Sequence, residues 1–321
     1  MVFDVVANGG FSLKSNLLIT LALLFCFSSA ARAQQPDYSK VEIKATKISG
    51  NVYMLEGAGG NIGVSVGADG ILIVDDQFAP LADKIKAALK NLGEGKLKFV
   101  LNTHWHGDHT SGNQVFGLDA PIIAHDNVRK RMSVEQKSEF FKSTTPASPK
   151  EALPVVTFDQ SLSVHFNGEE IKVIHFPHGH TDGDSVIYFT NSNVVHLGDN
   201  FFANRFPFVD LESGGSVAGL IKNIADIMGK LPAGVQLIPG HGPISNVDDL
   251  KRYHQMLSTT TAFVRKKMSA KKSLAQIKKE GLPEEWKSWG TGFISTDLWI
   301  EIIYKSYAAP GSKLSTTNHG H

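Results

Sequence analysis

The sequence predicts an α/β (α+β) fold in which two sheets pack together with helices outside. Three observations carry the prediction. Short β-forming runs broken by turn residues occur once between residues 41 and 101 and again between 155 and 197. Stretches with helical spacing are interspersed with both sets, and the chain continues as helix from 247 to 307. The 30 glycines supply the tight turns that a β-rich core needs, and no short internal repeat is visible.

Taken in order, Val41 to Ile48 alternates loosely and reads as a strand, and Asn51 to Leu55 as a second. Gly57-Ala58-Gly59-Gly60-Asn61 is a glycine-rich turn into two further strands, Ile62 to Val66 and Ile71 to Val74, so this part is a run of hairpins. Leu81 to Leu92 places Leu81, Ile85, Ala88, Leu89 and Leu92 on one helical stripe and stops at Gly93, a C-terminal signal. Phe99 to Leu101 is a buried strand. A short helix follows at Gln114 to Phe116, a strand at Pro121 to Ala124 and a polar helix from Asn127 to Gln136. Lys142 to Pro154, rich in Ser, Thr, Pro and Lys, reads as a loop or cap. Strands return at Val155 to Phe158, Leu162 to Phe166, Ile171 to Phe176, Ser185 to Phe189 and Val194 to Leu197. Val217 to Leu231 is helical, Val235 to Ile238 a strand, and Val247 to Met268, Leu274 to Glu280 and Thr296 to Tyr307 are helices.

The 321 residues suit one large domain or two small ones, and 42% apolar with 20% charged residues is ordinary globular composition. Residues 1–33 stand apart. Lys14, an apolar run from Leu17 to Phe27 too short to span a bilayer, and Ala31-Arg32-Ala33 before Gln34 form the pattern of a cleaved signal peptide. The expectation is a periplasmic or secreted protein cut near Ala33-Gln34, a domain over 34–308 with a helical part from 247, and a disordered tail at 309–321. Cys26, the only cysteine, falls in the apolar run, so the mature chain has no thiolate and any metal site is built from histidines and carboxylates. The net charge of +1 becomes neutral once Lys14, Arg32 and Asp4 are removed. That argues against a nucleic-acid partner and against an anionic membrane surface. The expected partner is a small-molecule substrate, with neither a stable membrane anchor nor an obligate protein partner.

Thr103-His104-Trp105-His106-Gly107-Asp108-His109-Thr110 carries the chemistry. It puts four ligand types within six residues, H-x-H-x-D-H, on a loop leaving the strand Phe99 to Leu101, where a rigid scaffold aims them at one point. Imidazole nitrogens suit zinc, and a carboxylate adds charge. Three later positions share a local grammar: His180 in Pro177-His178-Gly179-His180, Asp199 in His196-Leu197-Gly198-Asp199, and His241 in Pro239-Gly240-His241-Gly242. Each is a ligand type on a glycine turn beyond a strand. Each alone is a weak signal, because such residues usually cap turns. Together they are a strong one.

Asp75, the H-x-H-x-D-H run at 104–109, His180, Asp199 and His241, in that order, resemble the metallo-β-lactamase-fold hydrolase superfamily over most of the chain. The resemblance implies an αββα sandwich of two mixed sheets flanked by helices, with two zinc ions (Zn2+) per chain at one edge. It implies that His104, His106 and His180 hold one metal and that Asp108, His109 and His241 hold the other, with Asp199 bridging. Asp75 would stand behind a ligand imidazole and fix its tautomer. The best-known class B lactamases of this pattern carry a cysteine where Asp199 stands, so the full ligand set here looks more like the lactonase, thioesterase and phosphodiesterase members.

The remaining candidates have plainer readings. His178 reads as a turn residue or a support to the ligands, His125, His175 and His196 as structural, and the basic runs at 265–267 and 271–272 as a solvated helix face. His319 and His321 read as tail residues. Asn204 and Arg205, just past Asp199, are candidates for binding a substrate carboxylate or oxyanion. The Gly57–Asn61 turn is expected to flap over the mouth, with Phe140 and Phe141 of 137–154 as an opposite wall. The expected activity is a zinc hydrolase that opens a cyclic amide or ester through a metal-bridging hydroxide, oriented by Asp108 as the catalytic residue. Two alternatives stand beside it: thioester or phosphodiester hydrolysis on the same fold, and non-catalytic zinc binding.

Overall fold

The computed structural model describes residues 37–308. The expected signal peptide and tail lie outside them. The first sheet opens with β1 (Lys44–Ser49), β2 (Val52–Glu56), β3 (Ile62–Gly67) and β4 (Gly70–Val74), each antiparallel to the last. Helix α1 (Ala82–Leu92) returns the chain to β5 (Leu97–Leu101), which pairs parallel with β4. The short helices α2 (Gly107–Thr110) and α3 (Asn113–Phe116) lead to β6 (Ile122–His125), parallel to β5. Helix α4 (Asp126–Met132) and a small hairpin, β7 (Gln136–Ser138) with β8 (Ser143–Thr145), precede the edge strand β9 (Val156–Phe158). The first sheet is therefore seven strands in the order β1-β2-β3-β4-β5-β6-β9.

The second sheet has β10 (Ser161–Phe166), β11 (Glu169–His175), β12 (Ser185–Phe189) and β13 (Val194–His196) antiparallel in turn. After α5 (Val217–Met228), β14 (Gln236–Ile238) joins parallel to β13. Helices α6 (Val247–Ser269), α7 (Leu274–Glu280) and α8 (Thr296–Ala308) complete the described chain. Both sheets are mixed, as expected.

The hydrophobic contacts explain the layers. Val52, Met54, Leu72, Val74 and Leu101 of the first sheet pack against Ile171, Val173, Ile187 and Phe189 of the second. On the outer face of the first sheet, Ile71, Ile73 and Val100 meet Leu81, Ile85 and Leu89 of the α1 region. On the outer face of the second, Val186, Val195 and Leu237 meet Leu220 and Ile224 of α5, Tyr253 of α6 and Trp299 of α8. Successive β4 residues alternate between the two sides, and all five are buried. That is why this strand reads as an unbroken apolar run.

The differences from the sequence reading are local. Helix α4 ends at Met132, four residues short of the expected end, because β7 begins at Gln136 and pairs with β8 inside the segment read as a loop. The 3-10 segment Glu284–Thr291, which buries Trp286 and Trp289, has no apolar periodicity long enough to read in advance. The glycine turn before β3 is pinned at its Gly60–Asn61 end. Gly60 N–H donates to the Asp108 carbonyl (3.1 Å), Asn61 N–H to the Gly240 carbonyl (2.8 Å) and Gln77 Nε2 to the Gly60 carbonyl (2.6 Å). Only Gly57 to Gly59 are left to act as the expected flap.

Candidate metal centre

The site forms where strands of both sheets end. β4 delivers Asp75, β5 the loop with His104, His106, Asp108 and His109, β13 Asp199, and β14 His241. His180 lies on the turn between β11 and β12. The parallel pairs β4–β5 and β13–β14 point their carboxyl ends the same way, so ligands distant in sequence emerge side by side. Leu197 N–H donates to the Ile238 carbonyl and Gly240 N–H to the Gly198 carbonyl, which holds the Asp199 and His241 turns together. Gly198 has φ +50°, and a side chain there would strike Thr103. Glycine is what lets the Asp199 turn approach the β5 loop.

The seven side chains gather into two adjoining groups. His104, His106, His180 and Asp199 form one, and Asp108, His109 and His241 the other; within each, the ligand atoms lie within 4.8 Å of one another. The hydrogen bonds on the far side of each ring decide which nitrogen faces inward. His180 Nδ1 lies 2.8 Å from the Phe208 carbonyl, which can only accept, so Nδ1 carries the proton and Nε2 is bare. His106 Nε2 donates to Asp210 Oδ2 (2.9 Å), leaving Nδ1 bare. His109 Nδ1 donates to Asp75 Oδ2 (2.7 Å). Thr103 Oγ1 gives its own proton to Asp75 Oδ2 (2.7 Å) and so accepts from His104 Nδ1 (3.0 Å).

The bare nitrogens then face one another. His106 Nδ1 is 2.8 Å from His180 Nε2 and 3.1 Å from His104 Nε2. Lone pairs that close repel unless a cation lies between them. Nitrogens held about 2.0–2.1 Å from one zinc in tetrahedral geometry stand roughly 3.3 Å apart, so the donor set fits the ion. Asp199 faces both groups. Its Oδ2 is 3.4 Å from His180 Nε2, and its Oδ1 is 3.1 Å from His109 Nε2 and 3.5 Å from His241 Nε2. Oδ1 is buried and has no hydrogen-bond partner among the described residues, which a bound cation would remedy.

The electrostatics agree. Burial holds His180 down to about 4 and His104 well below the usual imidazole range, so both stay neutral donors to a metal. Burial would also lower His109 and His241, but Asp199 and Asp108 outweigh it. They raise His241 to about 9 and His109 well above its ordinary value. Burial would raise Asp108 and Asp199, yet the surrounding imidazoles hold both carboxyls below their usual range. The second group is thus a buried spot with negative potential that calls for positive charge.

A cavity of about 930 Å³ opens over the cluster, with Asp108, Asp199 and His241 on its floor and Trp105, Phe208 and Arg205 among its walls. Arg205 is half-buried and has no ion-pair partner among the described residues. Asn204 sits on an exposed left-handed turn, φ 57°, and does not line the cavity. Phe141 lines the wall expected from 137–154, whereas Phe140 packs behind it on Phe208. His125 and His175 stack on each other at 3.7 Å, His196 Nε2 bonds the Asn61 carbonyl, and His178 bonds the Gly214 carbonyl from a left-handed turn. In the basic runs, Arg265 covers the Tyr307 ring and Lys267 and Lys272 pair with Glu280.

Three supporting residues were missed. Thr103 relays Asp75 to His104. Asp210 holds His106 and at the same time caps Leu211–Ser213 through the Glu212 and Ser213 N–H groups. Asn61 clamps the His241 loop by donating Nδ2 to the carbonyls of Pro239 (2.9 Å) and Gly242 (2.8 Å). The Thr103 hydroxyl adjoins the motif and was open to inference. Asp210 and Asn61 carry no local signal, since their partners lie more than a hundred residues away.

Comparison with known proteins adds a separate line. The model of the Metallo-beta-lactamase superfamily matches residues 45–241. A probable metallo-hydrolase of Methanocaldococcus jannaschii is 27% identical over 184 residues, 54% of this chain and 84% of that protein. Metallo-beta-lactamase type 2 of Bacteroides fragilis is 21% identical over 257 residues, 75% of this chain and 95% of that protein. Among solved structures, the DIM-1 metallo-beta-lactamase superposes with a TM-score of 0.56 at 18% identity, covering 68% of this chain and 99% of that one.

Proposed function

The chain belongs to the metallo-beta-lactamase superfamily, and from that membership we propose that it is an exported zinc-dependent hydrolase that opens a cyclic amide or ester, such as a β-lactam or a lactone. The observation that carries the reading is the set of three imidazoles, His104, His106 and His180, whose outer nitrogens are spoken for and whose bare inner nitrogens converge beside the buried Asp199 carboxylate. His104, His106 and His180 would hold one zinc ion, Asp108, His109 and His241 a second, and Asp199 would touch both. When bound, two such ions supply Lewis acidity toward a carbonyl oxygen and bring the pKa of water from about 15.7 to about 7.

The chain's own groups do the rest. Asp108 is the cluster carboxylate most open to the cavity, with 31% of its side chain exposed. His109 and His241 keep it ionised against the effect of burial. Asp108 therefore stays a carboxylate and accepts a hydrogen bond that orients the attacking water. Arg205, on the wall, presents a guanidinium to an anionic substituent of the substrate. Trp105 and Phe208 exclude bulk water on the apolar side.

The named activity of the Bacteroides fragilis relative supports the β-lactam branch, and the Methanocaldococcus jannaschii relative supports hydrolysis in general. Export rests on the apolar run and small-residue cleavage pattern of residues 1–33. Among the described residues no helix is long and apolar enough to cross a membrane. The test is turnover by zinc-loaded protein beginning at Gln34 on a panel of β-lactam, lactone, thioester and phosphodiester substrates, with His106→Ala as control. Hydrolysis of a β-lactam or lactone, lost in the control, is the expected result. Turnover confined to thioesters or phosphodiesters would replace the substrate class, and zinc binding without any turnover would remove the enzyme reading.

A further inference from the structure

Four phenylalanines connect the metal cluster to the surface. The Phe208 ring lies 5.9 Å from that of His106 and 6.0 Å from that of His180. Phe141 lies 5.0 Å beyond Phe208, and Phe293 lies 5.8 Å beyond Phe141. Phe140, 5.1 Å from Phe208, backs the row from behind. The members come from separate segments: the turn of the β7–β8 hairpin, the loop after Asp199, and the stretch between the Glu284–Thr291 segment and α8. Phe208 is nearly buried, but Phe141 is 44% and Phe293 72% exposed. Val134, also exposed, lines the same cavity.

Large apolar side chains at the open end of a site cost free energy in water unless something covers them. The exposed Leu118, Val155 and Val156 stand elsewhere, outside the cavity, so the aromatic exposure here is tied to the site. The cavity, at about 930 Å³, also exceeds what a small ring needs, since pockets for drug-sized ligands run from about 300 to 1,000 Å³.

We propose that Phe208, Phe141 and Phe293 form a track for a long unbranched hydrocarbon chain, so that the substrates are esters, lactones or amides of long-chain acids. The carbonyl sits at the imidazoles and the chain runs outward over the three rings. The proposal rests on the hydrolase reading above and adds the substrate class to it.

The experiment has a binding arm and a turnover arm, both on zinc-loaded protein. Calorimetry follows the unbranched alkanols from butanol to decanol, and kcat/KM is measured for phenyl esters of the matching acids. In the wild type both the alkanol affinity and kcat/KM should rise about fourfold for each added methylene until the track is filled. In the double variant Phe141→Ser/Phe293→Ser the rise should stop several methylenes earlier. Both residues are exposed, and an unchanged melting curve confirms folding. Leu118→Ser, which removes an exposed apolar side chain elsewhere, should keep the wild-type rise. A wild type without length dependence, or a double variant with the wild-type rise, overturns the track. Alkanol binding that lengthens with the chain while no ester is cleaved upholds the track and overturns the hydrolase reading instead.

Discussion

The two halves of the metal cluster are built differently. In the His104–His106–His180 half every imidazole is fixed from behind, by Thr103, Asp210 and the Phe208 carbonyl. In the Asp108–His109–His241 half only His109 has such a partner, Asp75. The His241 ring stacks on Phe202 at 5.1 Å, but no hydrogen bond holds its Nδ1 among the described residues. The side chains of Asp108 and His241 are 31% and 19% exposed and that of His109 is fully buried, against 1% for His104 and His180 and 16% for His106. Ligands held by a second set of groups lose less freedom on binding, so under the proposed two-zinc reading the first half would be the tighter metal site and the second the more adaptable.

Several substitutions break or sharpen this contrast. The largest effect is expected from His106→Ala, which opens the tighter half. It should lower kcat/KM roughly a thousandfold or more, and metal analysis should find the first ion missing. Retention of two ions per chain would contradict the assignment. Next comes Asp75→Ala, because one carboxylate serves both halves, through Thr103 to His104 and directly to His109. Affinity should fall about 10- to 100-fold at both sites, read as two weakened steps in a zinc titration. A loss confined to the His109 step would show that the Thr103 relay is idle.

Asp210→Ala removes the partner of His106 alone. It should weaken only the tighter step, by about 10- to 100-fold, with the second step unmoved. Asn61→Ala should have the smallest effect, since Asn61 acts on His241 through the backbone of its loop. The weaker step should fall by about tenfold, the lower end for supporting groups. A first step weakened as much as the second would mean that Asn61 only stabilises the fold.

Much of the site was legible in the chain, for a local reason. His104 to His109 are neighbours in sequence, and a ligand-rich loop after an apolar strand announces itself without tertiary information. His180, Asp199 and His241 were legible because each follows a strand on a glycine turn. The supporting groups were not. Asp210 reaches His106 across 104 positions, and Asn61 reaches Pro239 across 178, so no spacing rule connects them. The hairpin β7–β8 escaped notice because its strands are three residues each and polar, too short for a period-two pattern to stand out. Of the aromatic row, Phe140 and Phe141 were expected as an apolar wall, but their alignment with Phe208 and Phe293 was invisible for the same reason as Asp210: the members come from three segments that only packing brings together.

The sequence by itself determined the two strand sets, the outer helices and the ligand types, because each depends on periodicity or on neighbours along the chain. Only the tertiary structure decided which nitrogen of each histidine faces inward and where the apolar approach runs. Those depend on distances across the sandwich. They are set when β4, β5, β13 and β14 end at one edge and bury their polar groups against one another.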